Sequence, residues 1–202
     1  WQPRWFTYMI MEKRTAWFLS EISGSCPGLF RMDLDTDQVT FCGQLLSEDE
    51  TWGLCHGVTH NVLAKIQNKI VMAPCFSKLG FIEYDCISQT FTKHTPPREF
   101  WCLAAQKDNV SAFAQAVVYK QSAFFIGNYQ GIIVEYNEQE GRYRYHTNWA
   151  SPLLETLTLT DLHFRSYGSF LQENRLYLPV EEKAVLIALN LDTMEAELLN
   201  LP

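Results

Sequence analysis

The residues of this sequence that could do chemistry are its acids, histidines, cysteines and exposed aromatic residues. Asp33, Asp35 and Asp37 alternate with other residues, so their side chains line one side of a strand end and its turn. Oxygen clusters of this kind can hold Ca²⁺, but the Gly and the distal Glu of an EF-hand loop do not follow here. Turn formation by aspartate is therefore the simpler interpretation of these acids.

The six cysteines all fall within the first 102 residues of the 202-residue chain, at Cys26, Cys42, Cys55, Cys75, Cys86 and Cys102. None of them forms a CxxC pair, and no two histidines have zinc-finger spacing. His56 and His60 lie close to Cys55, and thiolates with imidazoles could bind a soft divalent metal. Reduced, partly buried thiols are the simpler interpretation, with a disulfide or a metal site as the alternative. We therefore predict no metal and no other cofactor.

Nucleophilic catalysis finds little support in the sequence. The serines of Ser23-Gly24-Ser25 and Gly168-Ser169 lack the strand–turn–helix context of a nucleophile elbow. The remaining histidines fall on predicted strands, where a structural role is expected: His94, His146 and His163. The sequence thus favours a protein that is not an enzyme, with no catalytic residue assigned. The alternative is a carbohydrate-active enzyme that uses carboxylates around a central channel.

Composition and charge exclude several classes of protein. The formal net charge is −7 and the pI is near 5.2, and the Lys and Arg residues are scattered, which argues against a nucleic-acid partner. No window of 18 apolar residues predicts a transmembrane helix, and no apolar signal segment opens the sequence. With reduced cysteines, these features predict a cytoplasmic protein with no membrane partner.

A repeat of about 50 residues organises the chain. Its markers are turn-forming residues at positions 35, 85, 137 and 192, which are 50, 52 and 55 residues apart: Asp35, Asp85, Asn137 and Asp192. Asp and Asn favour tight turns because their side chains bond the backbone two residues on. A large apolar residue lies six positions after each marker: Phe41, Phe91, Tyr143 and Leu198.

Four short strands surround each marker, so the sequence predicts four units of four strands. This pattern is typical of an all-β β-propeller built of four visible four-stranded blades. We predict a single propeller-type domain over residues 1–202, with blades at about 5–46, 55–97, 110–149 and 161–202. Val110–Tyr119 is the strongest candidate for a helix, but it aligns with the first strands of the other units, and we predict a strand there.

One unit carries a recognisable family pattern. Ala116–Tyr143 resembles a kelch repeat, in which a second strand ends in paired glycines and the fourth strand carries a Trp. Gly127-Asn128 stands in place of the glycine pair, and Tyr143 stands in place of the Trp. The other units depart further, since Ala73-Pro74 and Leu178-Pro179 replace the glycines. The resemblance implies a kelch-like propeller that acts as a binding or interaction module.

The number of blades leaves three arrangements open. Kelch-like propellers usually close with six or seven blades, which at this period requires about 300 residues or more. The chain is therefore expected to be part of a larger propeller, a closed four-bladed form, or one half of an assembly of two chains. Its partners would then include the remaining blades of a longer chain or a second copy.

The predicted ligand site lies on the face formed by the between-blade loops and the second-to-third-strand loops, where propellers carry functional residues. Three tryptophans occupy comparable places in the between-blade loops and could form an aromatic platform for a protein or a glycan. The predicted ligand-binding residues are Trp52, His56, Trp101, Asn128, Tyr129 and Trp149. The alternative for each Trp is packing between adjacent blades.

Overall fold

Short strands joined by tight turns make up most of the chain in the computed structural model, which describes residues 3–22, 27–46, 59–75, 79–97, 113–128, 131–159, 169–180 and 183–200. The strands of the first two sheets are β1 Pro3–Glu12, β2 Thr15–Ile22, β3 Pro27–Asp33, β4 Val39–Gln44, β5 His60–Ile66, β6 Lys69–Pro74, β7 Phe81–Asp85 and β8 Thr90–His94. Those of the other two are β9 Phe113–Tyr119, β10 Ser122–Gly127, β11 Ile133–Asn137, β12 Arg142–His146, β13 Phe170–Gln172, β14 Arg175–Pro179, β15 Val185–Asn190 and β16 Ala196–Asn200.

Every four consecutive strands form one antiparallel sheet in chain order, and we number these sheets blades 1 to 4. The prediction of four four-stranded units is confirmed, and β9 is a strand as expected rather than a helix. In the fourth unit the described first strand is β13 Phe170–Gln172, and residues 160–168 lie outside the described part of the chain.

The turns between first and second strands have the same geometry in all four blades. Each is a two-residue turn whose first residue has a positive φ of 46 to 55°. This backbone conformation suits hairpin turns because it matches the right-handed twist of the strands on either side. The residues lie at positions 13, 67, 120 and 173, so they are 54, 53 and 53 residues apart: Lys13, Gln67, Lys120 and Glu173.

The turns between third and fourth strands are also shared, and they correct the predicted markers. In blade 1 the carboxylate of Asp33 accepts the backbone N–H groups of Asp35 and Thr36, at 2.9 and 3.0 Å. In blade 4 the amide oxygen of Asn190 accepts the N–H of Asp192, at 2.9 Å. Asp35 and Asp192 were therefore the wrong markers by two residues. In each of these blades two polar side chains lie two residues apart. The side chain that ends the strand, Asp33 or Asn190, forms the turn.

With this correction the repeat becomes more regular. The turn-forming residues lie at positions 33, 85, 137 and 190, which are 52, 52 and 53 residues apart: Asp33, Asp85, Asn137 and Asn190. A residue with positive φ follows four positions later in every blade: Asp37, Gln89, Gly141 and Met194. The repeat is thus fixed by two turns per blade.

The chain divides into two compact units, residues 1–96 and 97–202. In the first unit, Trp17, Leu19 and Leu29 of blade 1 share an apolar cluster with side chains of blade 2. Gly43 of blade 1 lies against Phe91 of blade 2, and a Cβ at Gly43 would come within 2.7 Å of that ring. The two sheets of this unit therefore pack face to face.

The second unit repeats this arrangement with blades 3 and 4. Phe124, Ile126 and Ile133 of blade 3 share an apolar cluster with side chains of blade 4, which include Leu176, Leu178, Ile187 and Leu189. A short helix, α1, spans Ser151–Leu157 in a segment that was predicted to be loop, and its Leu153 is buried in the same cluster. Seven residues are too few to show a helical period, so the sequence pattern missed it.

The buried His60 ties two segments of the first unit together. Its Nε2 lies 3.0 Å from the carbonyl oxygen of Gly80, and its Nδ1 lies 3.1 Å from the Thr59 hydroxyl. Burial lowers the pKa of His60 to about 4, so the imidazole is neutral at neutral pH and can donate to Gly80 and accept from Thr59. His60 therefore has a structural role rather than a metal-binding one.

Gly80 should not tolerate a side chain. Its φ is +74°, and a Cβ would lie 2.3 Å from the backbone oxygen of His94, so Gly80→Ala combines strain with a backbone clash. We expect a loss of at least about 2 kcal/mol in the free energy of unfolding, measured by urea denaturation. Gly141→Ala is the matched control, because Gly141 has φ +62° and open space around it. Equal losses for the two variants would contradict this account.

Stability should fall on mild acidification because of His60. The unfolded imidazole has a pKa near 6.5 and the folded one is lowered to about 4, so the unfolded chain binds more protons within this window. The contribution of His60 is therefore lost as the pH falls from about 6.5 towards 4. We expect it to account for about 2 kcal/mol between pH 7 and pH 5. His60→Gln should flatten the dependence of the unfolding free energy on pH, and an unchanged slope would contradict the assignment.

Candidate functional site

A cleft of about 550 Å³ lies between blades 3 and 4, within the second unit. It opens where the β9–β10 turn of blade 3 meets the β15–β16 turn of blade 4. Most of the side chains that line it are polar. The lining residues are Tyr119, Lys120, Gln121, Ser122, Phe124, Glu135, Asn137, Arg144, His146, Leu191, Asp192 and Met194.

Strand register gathers the polar side chains of blade 3 on one side. Glu135 of β11 pairs with Phe124 of β10 and with Arg144 of β12, and His146 lies two residues beyond Arg144. Because side chains alternate along a strand, these residues share the sheet face that packs on blade 4. The apolar residues of that face fill the core, and the polar ones line the cleft.

Glu135 is the centre of this polar group. It is 7% exposed. Its Oε1 accepts a 2.7 Å hydrogen bond from the Ser122 hydroxyl, and its Oε2 lies 3.0 Å from Nε2 of His146. The amide of Asn137 donates to the Ser122 hydroxyl at 3.0 Å, and an Arg144 nitrogen lies 3.6 Å from Oε1. The carboxylate is therefore held in one position from several sides.

Glu135 is ionised at neutral pH although it is buried. The hydrogen bond from His146 is the largest influence and lowers the pKa of Glu135, with further lowering by Ser122 and the nearby Arg144. These effects outweigh burial, which acts in the opposite direction. The cleft thus presents an ionised carboxylate at neutral pH, in a fixed orientation, next to hydrogen-bond donors.

Asp192 of blade 4 lies at the rim of the cleft and contacts residues of blade 3. Its carboxylate accepts hydrogen bonds from Lys120 Nζ at 2.6 Å and from the Tyr119 hydroxyl at 3.1 Å. The Asn174 amide lies 3.4 Å away on the blade 4 side. The bond from Lys120 is the main reason that the pKa of Asp192 is lowered. This cluster links the turns that form the mouth of the cleft.

The same polar residues recur in blade 2. Glu83 lies two residues before Asp85, as Glu135 does before Asn137, and each blade has a histidine nine residues after its turn: His94 and His146. Lys69 stands in the place of Ser122 and binds Glu83 at 2.8 Å. The repeated Glu-Tyr-Asp/Asn with its later His is visible in the sequence. This recurrence could have identified Glu135 and His146 as candidate site residues, although they were not among those predicted.

Four of the six predicted ligand-binding residues lie outside the described part of the chain: Trp52, His56, Trp101 and Tyr129. Asn128 is half-buried and follows β10, at the end of that strand opposite to the cleft turn. Trp149 is half-buried and packs against the apolar cluster of blades 3 and 4, as the packing alternative expects. The structure does not bring Asn128 and Trp149 into the cleft, and their role in ligand binding stays a prediction.

The described ranges contain no group of three or more His, Cys, Asp or Glu side chains arranged to hold a metal ion. Within the same ranges, no helix has the length and hydropathy needed to cross a membrane. Cys75 is buried, which raises the pKa of its thiol to about 12.

Comparisons with known proteins identify the fold. No protein-family model matches the chain, and no curated protein sequence matches it. Among solved structures, the extracellular domain of a hybrid two-component system from B. thetaiotaomicron matches with a TM-score of 0.56 and 14% identity, over 97% of this chain and 24% of that one. YjhT matches with a TM-score of 0.56 and 8% identity, over 95% of this chain and 64% of the other.

A third structure, of the nidogen/laminin complex, matches with a TM-score of 0.52 and 10% identity, over 93% of this chain and 60% of the matched chain. The chain thus spans from about a quarter to under two thirds of the length of these structures. At such identities the likeness concerns the fold. Together with the four meander sheets, it establishes an all-β chain of the β-propeller type with four four-stranded blades.

Removing the Glu135 carboxylate should destabilise the second unit. Glu135→Ala leaves the buried Ser122 hydroxyl and the His146 imidazole without their shared acceptor. We expect the free energy of unfolding to fall by about 3 kcal/mol, measured by urea denaturation at pH 7. Glu140→Ala, which removes an exposed ion pair with Arg144, should cost less than about 1 kcal/mol. A loss at Glu135 as small as that at Glu140 would contradict the assigned network.

Proposed function

We propose that this protein is a binding module that takes a hydroxyl-rich ligand, a glycan, in the cleft between blades 3 and 4. The observation that carries the proposal is the buried, ionised Glu135, which Ser122 and His146 hold in place on the cleft wall. A fixed carboxylate beside amide and guanidinium donors is well suited to bind neighbouring hydroxyl groups, each of which donates one hydrogen bond and accepts others.

The size and lining of the cleft support a small polar ligand. A volume of about 550 Å³ lies within the range of small-molecule sites. The amides of Gln121 and Asn137 and the guanidinium of Arg144 supply donors around the carboxylate. Tyr119 adds an aromatic ring at the rim, and aromatic rings offer an apolar surface with a polar edge. Because the network is already formed, ordering these side chains should cost little on binding.

The electrostatics of the cleft favour binding over glycoside hydrolysis. Hydrolysis of a glycosidic bond by two carboxyl groups needs one of them to be protonated at neutral pH, with a raised pKa. Among the described residues, Glu135 and Asp192 are the carboxyl groups that line this cleft, and the pKa of each is lowered by its hydrogen-bond donors. A carbohydrate-active enzyme is therefore the weaker of the two proposals.

Two of the fold neighbours carry descriptions that are in keeping with a binding module. One is an extracellular domain of a two-component system, and another belongs to the nidogen/laminin complex. Four expectations from the sequence stay predictions. They are a kelch-like propeller type, a protein ligand on the loop face with Trp52 and Trp101, a second copy or further blades as partners, and a cytoplasmic location.

The proposal is tested with an array of immobilised glycans that covers neutral hexose oligomers, N-acetylated amino sugars and uronic acid oligomers. We expect selective binding to one class, followed by titration of the free oligosaccharide. Glu135→Gln should weaken binding by at least about tenfold, since it removes the charge and one acceptor while keeping the shape. Thermal unfolding of the variant checks that the fold is retained.

Glu83→Gln is the matched control, because Glu83 occupies the equivalent position in blade 2. It should leave glycan affinity within about twofold of the original chain. Equal weakening by both variants, or no binding to any glycan on the array by the folded protein, would overturn the proposal.

A further inference from the structure

The side chain of Asn137 takes part in both a turn and the cleft. Its Oδ1 accepts the backbone N–H of Glu140 at 2.9 Å, within the turn that joins the third and fourth strands of blade 3. Its Nδ2 donates to the Ser122 hydroxyl at 3.0 Å, and that hydroxyl donates to Oε1 of Glu135 at 2.7 Å. A continuous chain of hydrogen bonds therefore runs from the turn backbone to the carboxylate of the cleft.

The direction of each hydrogen bond in this chain is fixed. A backbone N–H can only donate, so the oxygen of Asn137 faces Glu140 and its nitrogen faces Ser122. An ionised carboxylate can only accept, so the single proton of the Ser122 hydroxyl points to Glu135. Ser122 is buried, so water has little access to take the place of either partner. The chain thus needs a residue at position 137 that accepts at one atom and donates at another.

An aspartate at position 137 could form the turn but not this chain. Asp33 and Asp85 form the equivalent turns in blades 1 and 2. An ionised carboxylate accepts a backbone N–H as the amide oxygen does, but it has no N–H group to donate. The Ser122 hydroxyl would then lie between two carboxylates, with one proton for both. The amide of Asn137 is therefore required by the cleft and not by the turn.

Blade 2 shows what accompanies an acid at this position of the repeat. Its glutamate is Glu83, and its turn-forming Asp85 is paired across the strands with Lys69, as Asn137 is paired with Ser122. Lys69 is positively charged and only donates, and its Nζ bonds Glu83 at 2.8 Å. A cation thus serves the blade with two acids, whereas a hydroxyl serves the blade with one acid and one amide.

We propose that Asn137 is a positioning residue for the ligand cleft, because it directs the Ser122 proton to Glu135 and so holds that carboxylate in a fixed orientation for a ligand hydroxyl. This inference rests on the proposed function, in which Glu135 binds the glycan. Each carboxylate oxygen has one close partner, Ser122 at Oε1 and His146 at Oε2, and can accept a further hydrogen bond. A ligand hydroxyl would therefore meet an acceptor that the turn has already oriented.

The test begins with Asn137→Asp, which keeps the acceptor of the turn and removes the donor to Ser122. The Glu135 carboxyl is titrated by ¹³C NMR without ligand, and its signal is assigned by its loss in Glu135→Gln. We expect the pKa of Glu135 to rise, because the carboxylate loses a donor and gains a like charge nearby. Affinity for the oligosaccharide selected on the glycan array should fall at least about tenfold.

Ser122→Ala separates the hydrogen-bond chain from the added charge. It removes the hydroxyl without adding a charge, and the pKa of Glu135 should rise here too. In the Ser122→Ala background, Asn137→Asp should shift that pKa less than it does in the original chain, because only the added charge then acts. Equal shifts in the two backgrounds would overturn the proposal. So would an unchanged pKa of Glu135 in Ser122→Ala, whether or not Asn137→Asp folds.

The two readouts keep this inference apart from the proposed function. If the folded original chain binds no glycan, the proposed function fails, and the titration still decides the role of Asn137. If the original chain binds a glycan through Glu135 while Asn137→Asp changes neither the pKa of Glu135 nor the affinity, the positioning role is overturned and the proposed function stands. Urea unfolding at pH 7 checks that each variant is folded.

Discussion

The arrangement of each blade depends on two tight turns with a left-handed residue. The first joins strands one and two through a residue such as Lys120, and the second joins strands three and four behind a side-chain acceptor such as Asn137. Since side chains alternate along a strand, these turns decide which residues face the neighbouring sheet. A slip of one residue would move Phe124 and Glu135 to the opposite face together. Core and cleft therefore share one structural constraint.

Much of the fold could be predicted from the sequence because the repeat combines turn chemistry with strand patterns. Asp85 and Asn137 were identified correctly, and the strands around them followed. Asp35 and Asp192 were chosen where Asp33 and Asn190 form the turns, because each pair of polar residues shares one strand face and the sequence alone does not rank them. The helix Ser151–Leu157 was missed because its apolar residues span too few turns to show a period.

The cleft was harder to predict than the fold. It depends on the packing of one blade face on the next, which joins Glu135 and His146 of blade 3 to Asp192 of blade 4. The sequence shows that Glu and His recur in two blades, but not that in blade 3 they border a cavity. The predicted ligand site instead lay on loops at the opposite strand ends, and its Trp52 and Trp101 fall outside the described residues.

The two units use the same inter-sheet position for different chemistry. Between blades 3 and 4, a buried carboxylate and a histidine line an open cleft. Between blades 1 and 2, Cys42 and Tyr84 pack in the apolar cluster that joins the two sheets. A repeat of this kind keeps the scaffold constant while single residues at fixed offsets from the turns change what each inter-sheet space can bind.

The most direct test of the central claim is a crystal structure of the protein with the oligosaccharide selected on the glycan array. We expect sugar density between blades 3 and 4, with ligand hydroxyl groups within hydrogen-bond distance of Glu135 and Asn137. Density confined to the loops at the opposite strand ends, near Asn128 or Trp149, with an empty cleft, would contradict it.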